Sequence, residues 1–227
     1  MARTPQRSDT VETASVGASV QAAAAIQSRI NAGRLIPGMR LSETALAGEF
    51  GVSRNTLREA FRFLIRDGLL VHNLNRGVFV RELDHDDIAD VFRVRRLLEH
   101  AGIEHWDKAT ATARSAVEAA VAAGERHAQS GRWLDVGTAN QVFHQALVDL
   151  AGSTRLSEYM SRILAQTRLI FGPPHDPKSV HEAYVQRNRQ LLEALKSTRG
   201  QSPRTLLAQY LDDAEQHFLS LSYITSQ

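Results

Sequence analysis

The sequence predicts a mainly α-helical chain in two parts. A small N-terminal unit of short helices ends in a β-hairpin, and a C-terminal antiparallel bundle of about six helices follows. Three observations predict this. Apolar residues recur at helical spacing over most of the chain. Strand-like runs are confined to the part before Asp84. Beyond it, the breaks "SGR", "AGST", "GPPHDP" and "TRGQSP" cut a helical pattern into segments.

The 227 residues suffice for one large domain or two small ones, and a hydrophobic fraction of 43% is ordinary for a packed core. The net charge is only +2 but unevenly spread. Residues 1–83 hold eleven Arg, no Lys and seven Asp or Glu, a net +4, so the remainder carries −2. A basic first part on a mildly acidic body points to a local anionic partner. With no cysteine, disulfides, thiolate metal sites and a cysteine nucleophile are excluded, and the composition fits the cytoplasm. No run approaches the length of a membrane span. The opening "MARTPQRSDTVETASVGAS" lacks the long apolar stretch of a signal peptide, so residues 1–16 are expected to form a disordered polar tail.

The elements follow in order. "SVQAAAAIQSRINAG" has helical composition and ends at Gly33; "RLIPGMRL" places a Pro-Gly turn between short extended pieces. Ser42 is a suitable N-cap for a helix that stops at Gly51, and Ser53 caps the next. There Leu57, Ala60, Phe61, Leu64 and Ile65 give the i, i+3, i+4, i+7, i+8 stripe of an amphipathic helix, closed by Gly68. "LLVHNLNRGVFVREL" reads as a hairpin turning at Asn75-Arg76-Gly77. Past the short junction Leu83-Asp84, helices are expected over roughly 84–107, 109–130, 132–151, 154–171, 178–197 and 203–223.

Two helices with a tight corner and a hairpin after them make a winged helix-turn-helix. The second helix carries Arg54, Arg58, Arg62 and Arg66 at intervals of four, opposite its apolar stripe. On its own, such a row is a solvated charged face. On the second helix of a corner, with a wing following, it fits the major groove of DNA. There Arg54 and Arg58 suit guanine edges and Asn55 an adenine edge. The hydroxyls of Ser53 and Thr56 and the helix N-terminus suit phosphates. Arg76 at the hairpin tip and Arg40 ahead of the first helix are placed for backbone or groove contacts.

In the second part, several polar residues fall on stripes that should face the core. They are Arg95 with Ile88, Val91 and Leu98; His144 with Phe143 and Leu147; Arg168 with Leu164; Asn188 with Leu191, Leu192 and Leu195; and His217 with Tyr210, Ala214 and Leu221. One such residue is usually a satisfied core side chain. Five on five helices predict a polar cavity inside the bundle. Buried arginines need an anionic partner, so Arg95 and Arg168 favour a carboxylate ligand.

The stretch "LSETALAGEFGVSRNTLREAFRFLIRDGLLVHNLNRGVFV", with Leu41-Ser42-Glu43, Gly51-Val52-Ser53-Arg54, Leu57-Arg58-Glu59-Ala60, Gly68-Leu69 and Arg76-Gly77 in order, resembles the GntR family of bacterial transcription regulators. "VFRVRRLLEHAG", "NQVFHQAL", "NRQLLEALK" and "AEQHFL" resemble the FCD ligand-binding domain of its fatty-acid-regulator-like subfamily. The resemblance implies a winged helix-turn-helix over 17–83 and an FCD-type effector-binding and dimerisation domain over 84–227. It further implies a homodimer on palindromic operator DNA, with repression relieved or tuned by a carboxylate or sugar acid. The DNA-contact positions carry over onto Arg40, Ser53, Arg54, Asn55, Thr56, Arg58, Arg76 and Gly77. The effector positions are Arg95, Asn140, His144, Arg168, Asn188 and His217.

Many members hold a divalent metal with one Asp and three His. Those positions align with Asn140, His144, Asn188 and His217, so two of the four ligands are not the usual type. Asn oxygen is a weaker donor than carboxylate, and Asn does not replace imidazole for zinc. Three expectations stay open: no metal, with the side chains bonding the effector directly; weak binding of zinc or a similar ion by Asn140, His144 and His217; or His181 or Asp213 standing in. The rival readings of the whole chain are an enzyme with acid-base or metal-bound histidines in the bundle, and an architectural DNA binder without an effector. No nucleophile elbow, glycine-rich phosphate loop or HExxH pattern supports the first. An inward polar set is of no use to the second.

Overall fold

The structure is a computed structural model that describes residues 7–170, 176–197 and 200–224. The chain divides into two compact units, one ending at Glu82 and the other beginning at Leu83, one residue earlier than the junction read from the sequence.

In the first unit, α1 spans Arg7–Asn31. Residues 1–6 lie outside the described residues, but the helix begins inside the stretch expected to be a disordered tail. Extending a nucleated helix adds one hydrogen bond per residue, and no Gly or Pro interrupts residues 7–16. Ala22, Ile26 and Ile30 form its buried stripe. After the Pro37-Gly38 turn, β1 (Arg40–Leu41) leads to α2 (Glu43–Phe50) and α3 (Arg54–Arg66). Ser42 accepts from Ala45 N at the start of α2, and Gly51, at φ 64°, closes it in the left-handed region a β-carbon disfavours. Ser53 caps α3 by accepting from Thr56 N at 3.1 Å. Leu57, Ala60, Phe61 and Leu64 bury the inner face of α3, which packs mainly on α1.

The strands β2 (Leu70–Asn73) and β3 (Gly77–Val80) form the hairpin. The sheet order is β1-β3-β2, all antiparallel, with Leu41 opposite Val78 and Asn73 opposite Gly77. Asn75 (φ 60°) and Gly77 (φ 101°) supply the positive φ values that turn the hairpin.

The second unit contains α4 (His85–Ile103), α5 (Ala111–Gln129), α6 (Trp133–Asp149), α7 (Thr154–Thr167), the 3-10 turn η1 (Arg168–Ile170), α8 (Pro177–Lys196) and α9 (Pro203–Ile224). These are the expected six helices. The segment expected to reach 171 ends its α-helix at Thr167, where the chain tightens into η1. Asp84 and Asp87 close a reciprocal capping box that fixes where α4 begins. Helix α6 is central, packing against α4, α5, α7 and α8. The core is built from Ile88, Phe92, Phe143, Leu147, Leu191, Leu192, Leu207 and Leu211. Each such side chain contributes roughly 1.5–3 kcal/mol of burial. Gly102 lets α4 come down on the Leu147 backbone; any β-carbon there would meet the Leu147 carbonyl.

Among the described residues no helix is long and apolar enough to cross a membrane.

Candidate functional site

On α3 the arginine row is exposed, as its spacing requires: Arg54, Arg58, Arg62 and Arg66 alternate with the buried stripe. Three of them have acidic neighbours. Arg58 Nε donates to Glu43 at 2.9 Å, Arg62 to Glu59 at 2.6 Å, and Arg66 Nε to Asp67 at 3.4 Å. These pairs are solvent-facing and weakly held, so a phosphate or base edge can displace the acid. Arg54 and Asn55, in the first turn, are exposed. Thr56 departs from expectation. It is 9% exposed, and its hydroxyl lies 2.8 Å from Ser53 Oγ, inside the cap instead of facing outward. Its hydroxyl therefore serves the helix terminus, and only Ser53 of the pair is exposed. At the wing, exposed Arg76 lies over the Phe79 ring (5.8 Å). The Arg40 guanidinium sits against Gly77, 3.5 Å from where a β-carbon would be. Arg40, Arg76 and Gly77 thus form one basic tip.

In the bundle, Arg95, Asn140, His144 and Arg168 line one small cavity together with His181, Gly137, Gln141 and Tyr184. Asn188 and His217 are tied to it: Asn188 Nδ2 donates to Asn140 Oδ1 at 2.7 Å, and His217 Nδ1 is 2.8 Å from Tyr184 OH. The cavity measures about 20 Å³, room for one water.

A buried chain of polar groups organises its wall. Arg95 Nε donates to Glu99 Oε1 at 2.8 Å, and His144 Nδ1 meets Glu99 Oε2 at 2.7 Å. His144 Nε2 is 3.0 Å from Tyr210 OH, which also donates to Asn140 Oδ1 at 3.0 Å. Burial alone would push the Glu99 carboxyl up, but Arg95 and His144 together hold it below the usual range, so it is a carboxylate. Burial, with Arg95 nearby, outweighs Glu99 and keeps the His144 imidazole below its ordinary value. His181 is pushed down to about 4 by burial and by the positive charge of Arg168. Burial raises the Tyr184 hydroxyl to about 12. Among the described residues, three buried side-chain polar atoms have no hydrogen-bond partner: Arg95 Nη2, Arg168 Nε and Asn188 Oδ1.

The donor set does not fit a divalent metal. Asn140 Oδ1 already accepts from Asn188 and Tyr210, both nitrogens of His144 are engaged, and His217 Nδ1 faces Tyr184. Two guanidiniums share the cavity and repel a dication. Among the described residues no three His, Cys, Asp or Glu side chains could hold a metal ion together. Asp213, one expected stand-in, is exposed and paired with Arg187 at 2.8 Å; the helical turn that aligns it with His217 carries it to the outer face of α9. His181, the other, does face the cavity, beside Gly137, whose missing side chain makes room for its ring.

The sequence reading missed Glu99, Gln141, Thr167 and Tyr184, and took Tyr210 as an apolar neighbour. Glu99 had a signal: it stands four residues after Arg95, the spacing of a helical ion pair.

The family model "Bacterial regulatory proteins, gntR family" matches residues 18–80, and that of the FCD domain matches residues 90–213. A solved structure from Rhodococcus sp. RHA1, described as a GntR transcriptional regulator, is 36% identical. It superposes with a TM-score of 0.82 over 89% of this chain and 97% of that one. An uncharacterized HTH-type transcriptional regulator of Bacillus subtilis (strain 168), YdhC, is 28% identical over 188 residues, 81% of this chain and 83% of that protein. The gluconate operon transcriptional repressor of the same organism is 39% identical over 81 residues, 35% of this chain and 32% of that protein.

Proposed function

We infer, since this chain belongs to the GntR family of bacterial regulatory proteins and carries an FCD domain, that it is a ligand-responsive repressor. It is a transcriptional regulator and not an enzyme. In the proposed reading it works in the cytoplasm as a homodimer on a short palindromic operator, and a small carboxylate held in the bundle cavity changes its affinity for DNA.

One observation carries the effector half of this reading: a small cavity whose wall presents buried, unpartnered guanidinium nitrogens. A purely structural core leaves few such groups, because each costs about 1–3 kcal/mol. A ligand that satisfies them recovers that cost on binding. The cavity is too small for a metabolite as it stands, so a ligand must move the walls. A ligand that binds only the opened form shifts the population toward it. Helix α4 carries Arg95 and Glu99 and is the first element after the wing in the chain, so it is the proposed relay.

On DNA, the roles follow from exposure and chemistry. Arg54, Asn55 and Arg58 read base edges; Ser53, Arg40, Arg76 and the backbone at Gly77 hold phosphates. The residues of the cavity, Arg95, Asn140, His144, Arg168, Asn188 and His217, serve the effector.

The test is selection of an operator from genomic fragments, followed by fluorescence anisotropy at fixed salt with a panel of carboxylates and sugar acids. A panel member that changes operator affinity by about 5–150-fold supports the reading. Operator binding that no member alters, with no member stabilising the protein, would leave an architectural binder.

A further inference from the structure

Resting on the reading of the cavity as an effector site, we propose that the effector is a small monoanion. It supplies the missing counter-ion of Arg168 and is bound without a metal. Arg168 is 8% exposed and opens η1. Among the described residues its polar partner is the neutral hydroxyl of Thr138, 2.9 Å from Nη2, while its Nε is buried and unpartnered. No carboxylate among the described residues pairs with it. Elsewhere this chain puts acids beside its arginines even in solvent: Arg187 with Asp213, Arg189 with Glu125, and Arg96 with Asp212 and Glu215. The guanidinium most in need of a counter-ion is the one left without it.

The charge around the cavity fixes the valence of the ligand. Of the two arginines that line the cavity, Arg95 is answered by Glu99 and Arg168 by no carboxylate among the described residues. What remains is one positive charge, on Arg168. A monocarboxylate neutralises it, and its oxygens have two unpartnered donors to accept from, Arg168 Nε and Arg95 Nη2. A dianion leaves one negative charge in a buried site next to the Glu99 carboxylate. A divalent cation adds two positive charges to a site that already has one in excess. The positive charge that a metal provides elsewhere is here built into the protein.

The experiment uses full-length protein treated with chelator and dialysed, and compares wild type with Arg168→Met and Arg168→Lys. Thermal unfolding is followed with acetate and D-gluconate, with succinate and D-glucarate, with inorganic phosphate, and with sodium chloride at matched ionic strength. The monocarboxylate that fits should raise the wild-type Tm by about 5 °C or more when present at ~100 times its Kd. Succinate, D-glucarate and phosphate should do markedly less, and added zinc should change nothing. Arg168→Met, which removes an unanswered buried charge, should equal or exceed wild type in Tm without ligand and lose the anion response. Arg168→Lys should keep part of that response. A stronger response to dianions, or one that requires zinc, overturns the monoanion inference and leaves the effector reading standing. So does an Arg168→Met protein that is less stable yet still answers the monocarboxylate. Silence of every organic anion into the tens of millimolar overturns both.

Discussion

His144 and Glu99 meet between α6 and α4 with 2.7 Å from Nδ1 to Oε2, both wholly buried. With Glu99 a carboxylate and the imidazole neutral, the proton sits on Nδ1, and Nε2 must accept. Tyr210 then has one hydroxyl proton and two acceptors within 3.0 Å, His144 Nε2 and Asn140 Oδ1. The His144–Tyr210–Asn140 cluster is therefore one proton short, while the unpartnered donors of the wall lie on Arg95 and Arg168.

Because Glu99 answers both Arg95 and His144, its loss leaves a buried guanidinium unpaired. Glu99→Gln should destabilise the protein by about 3–5 kcal/mol in urea unfolding. Replacing both partners, Arg95→Met with Glu99→Leu, should recover most of it. Equal losses for the single and double variants would show that packing, not charge, sets the cost. Arg95→Ala alone is a poor probe of effector binding for the same reason, since it strands Glu99.

Acid should weaken the bundle through His181. Folded His181 stays neutral down to about 4, whereas an unfolded imidazole takes its proton near ~6.5. In that window the unfolded chain binds the extra proton, so stability falls as the pH drops and levels off below about 4. The loss is on the order of 3 kcal/mol. His144 and Glu99, both also depressed, act in the same direction. Tm measured against pH should fall less steeply over this window in His181→Gln than in wild type. Parallel curves would mean that His181 does not carry the effect.

On the DNA side, Arg54→Ala should lower affinity for the selected operator by about 1–3 kcal/mol and relax preference at one base position. Arg76→Ala should weaken all sequences alike and reduce the slope of log affinity against log salt by about one. Anisotropy titrations at three salt concentrations separate the two. A sequence-dependent loss in Arg76→Ala would move the wing from holding to reading.

The Ser53–Thr56 cap predicts that the two hydroxyls behave differently. Ser53→Ala should cost about 1 kcal/mol of stability and also weaken DNA binding. Thr56→Val should cost less stability and leave the salt slope of binding unchanged, because its hydroxyl bonds Ser53 Oγ. A reduced slope in Thr56→Val would place that hydroxyl on a phosphate after all.

The recognition helix was legible because its information is local: two serine caps, Gly51 and Gly68 as stops, and a stripe of period 3.6 set the helix and its outward face. The cavity was legible only in part. Arg95, His144, Arg168 and Asn188 betrayed themselves as polar residues on apolar stripes, which periodicity detects. Tyr184 and Tyr210 did not, because a tyrosine on an inward stripe has an apolar body and a polar tip, and which end matters depends on what lies opposite. Asp213 misled for a related reason. One turn of helix before His217 is close enough to share its side in a sequence reading, yet the real α9 turns Asp213 to Arg187. The helix reaching back to Arg7 was missed because propensity alone rates those residues poorly, while an existing helix extends at little cost.

In the proposed reading, the smallness of the cavity also sets a concentration scale. Any molecule larger than a water has to part the helices around Arg168 and Gly137 before its contacts form, and that opening is subtracted from its affinity. In the proposed reading, traces of an effector go unanswered, and the response waits until the effector has accumulated. The rate of response follows the breathing of the bundle and not the speed of diffusion. A variant that props the cavity open should answer sooner and to less.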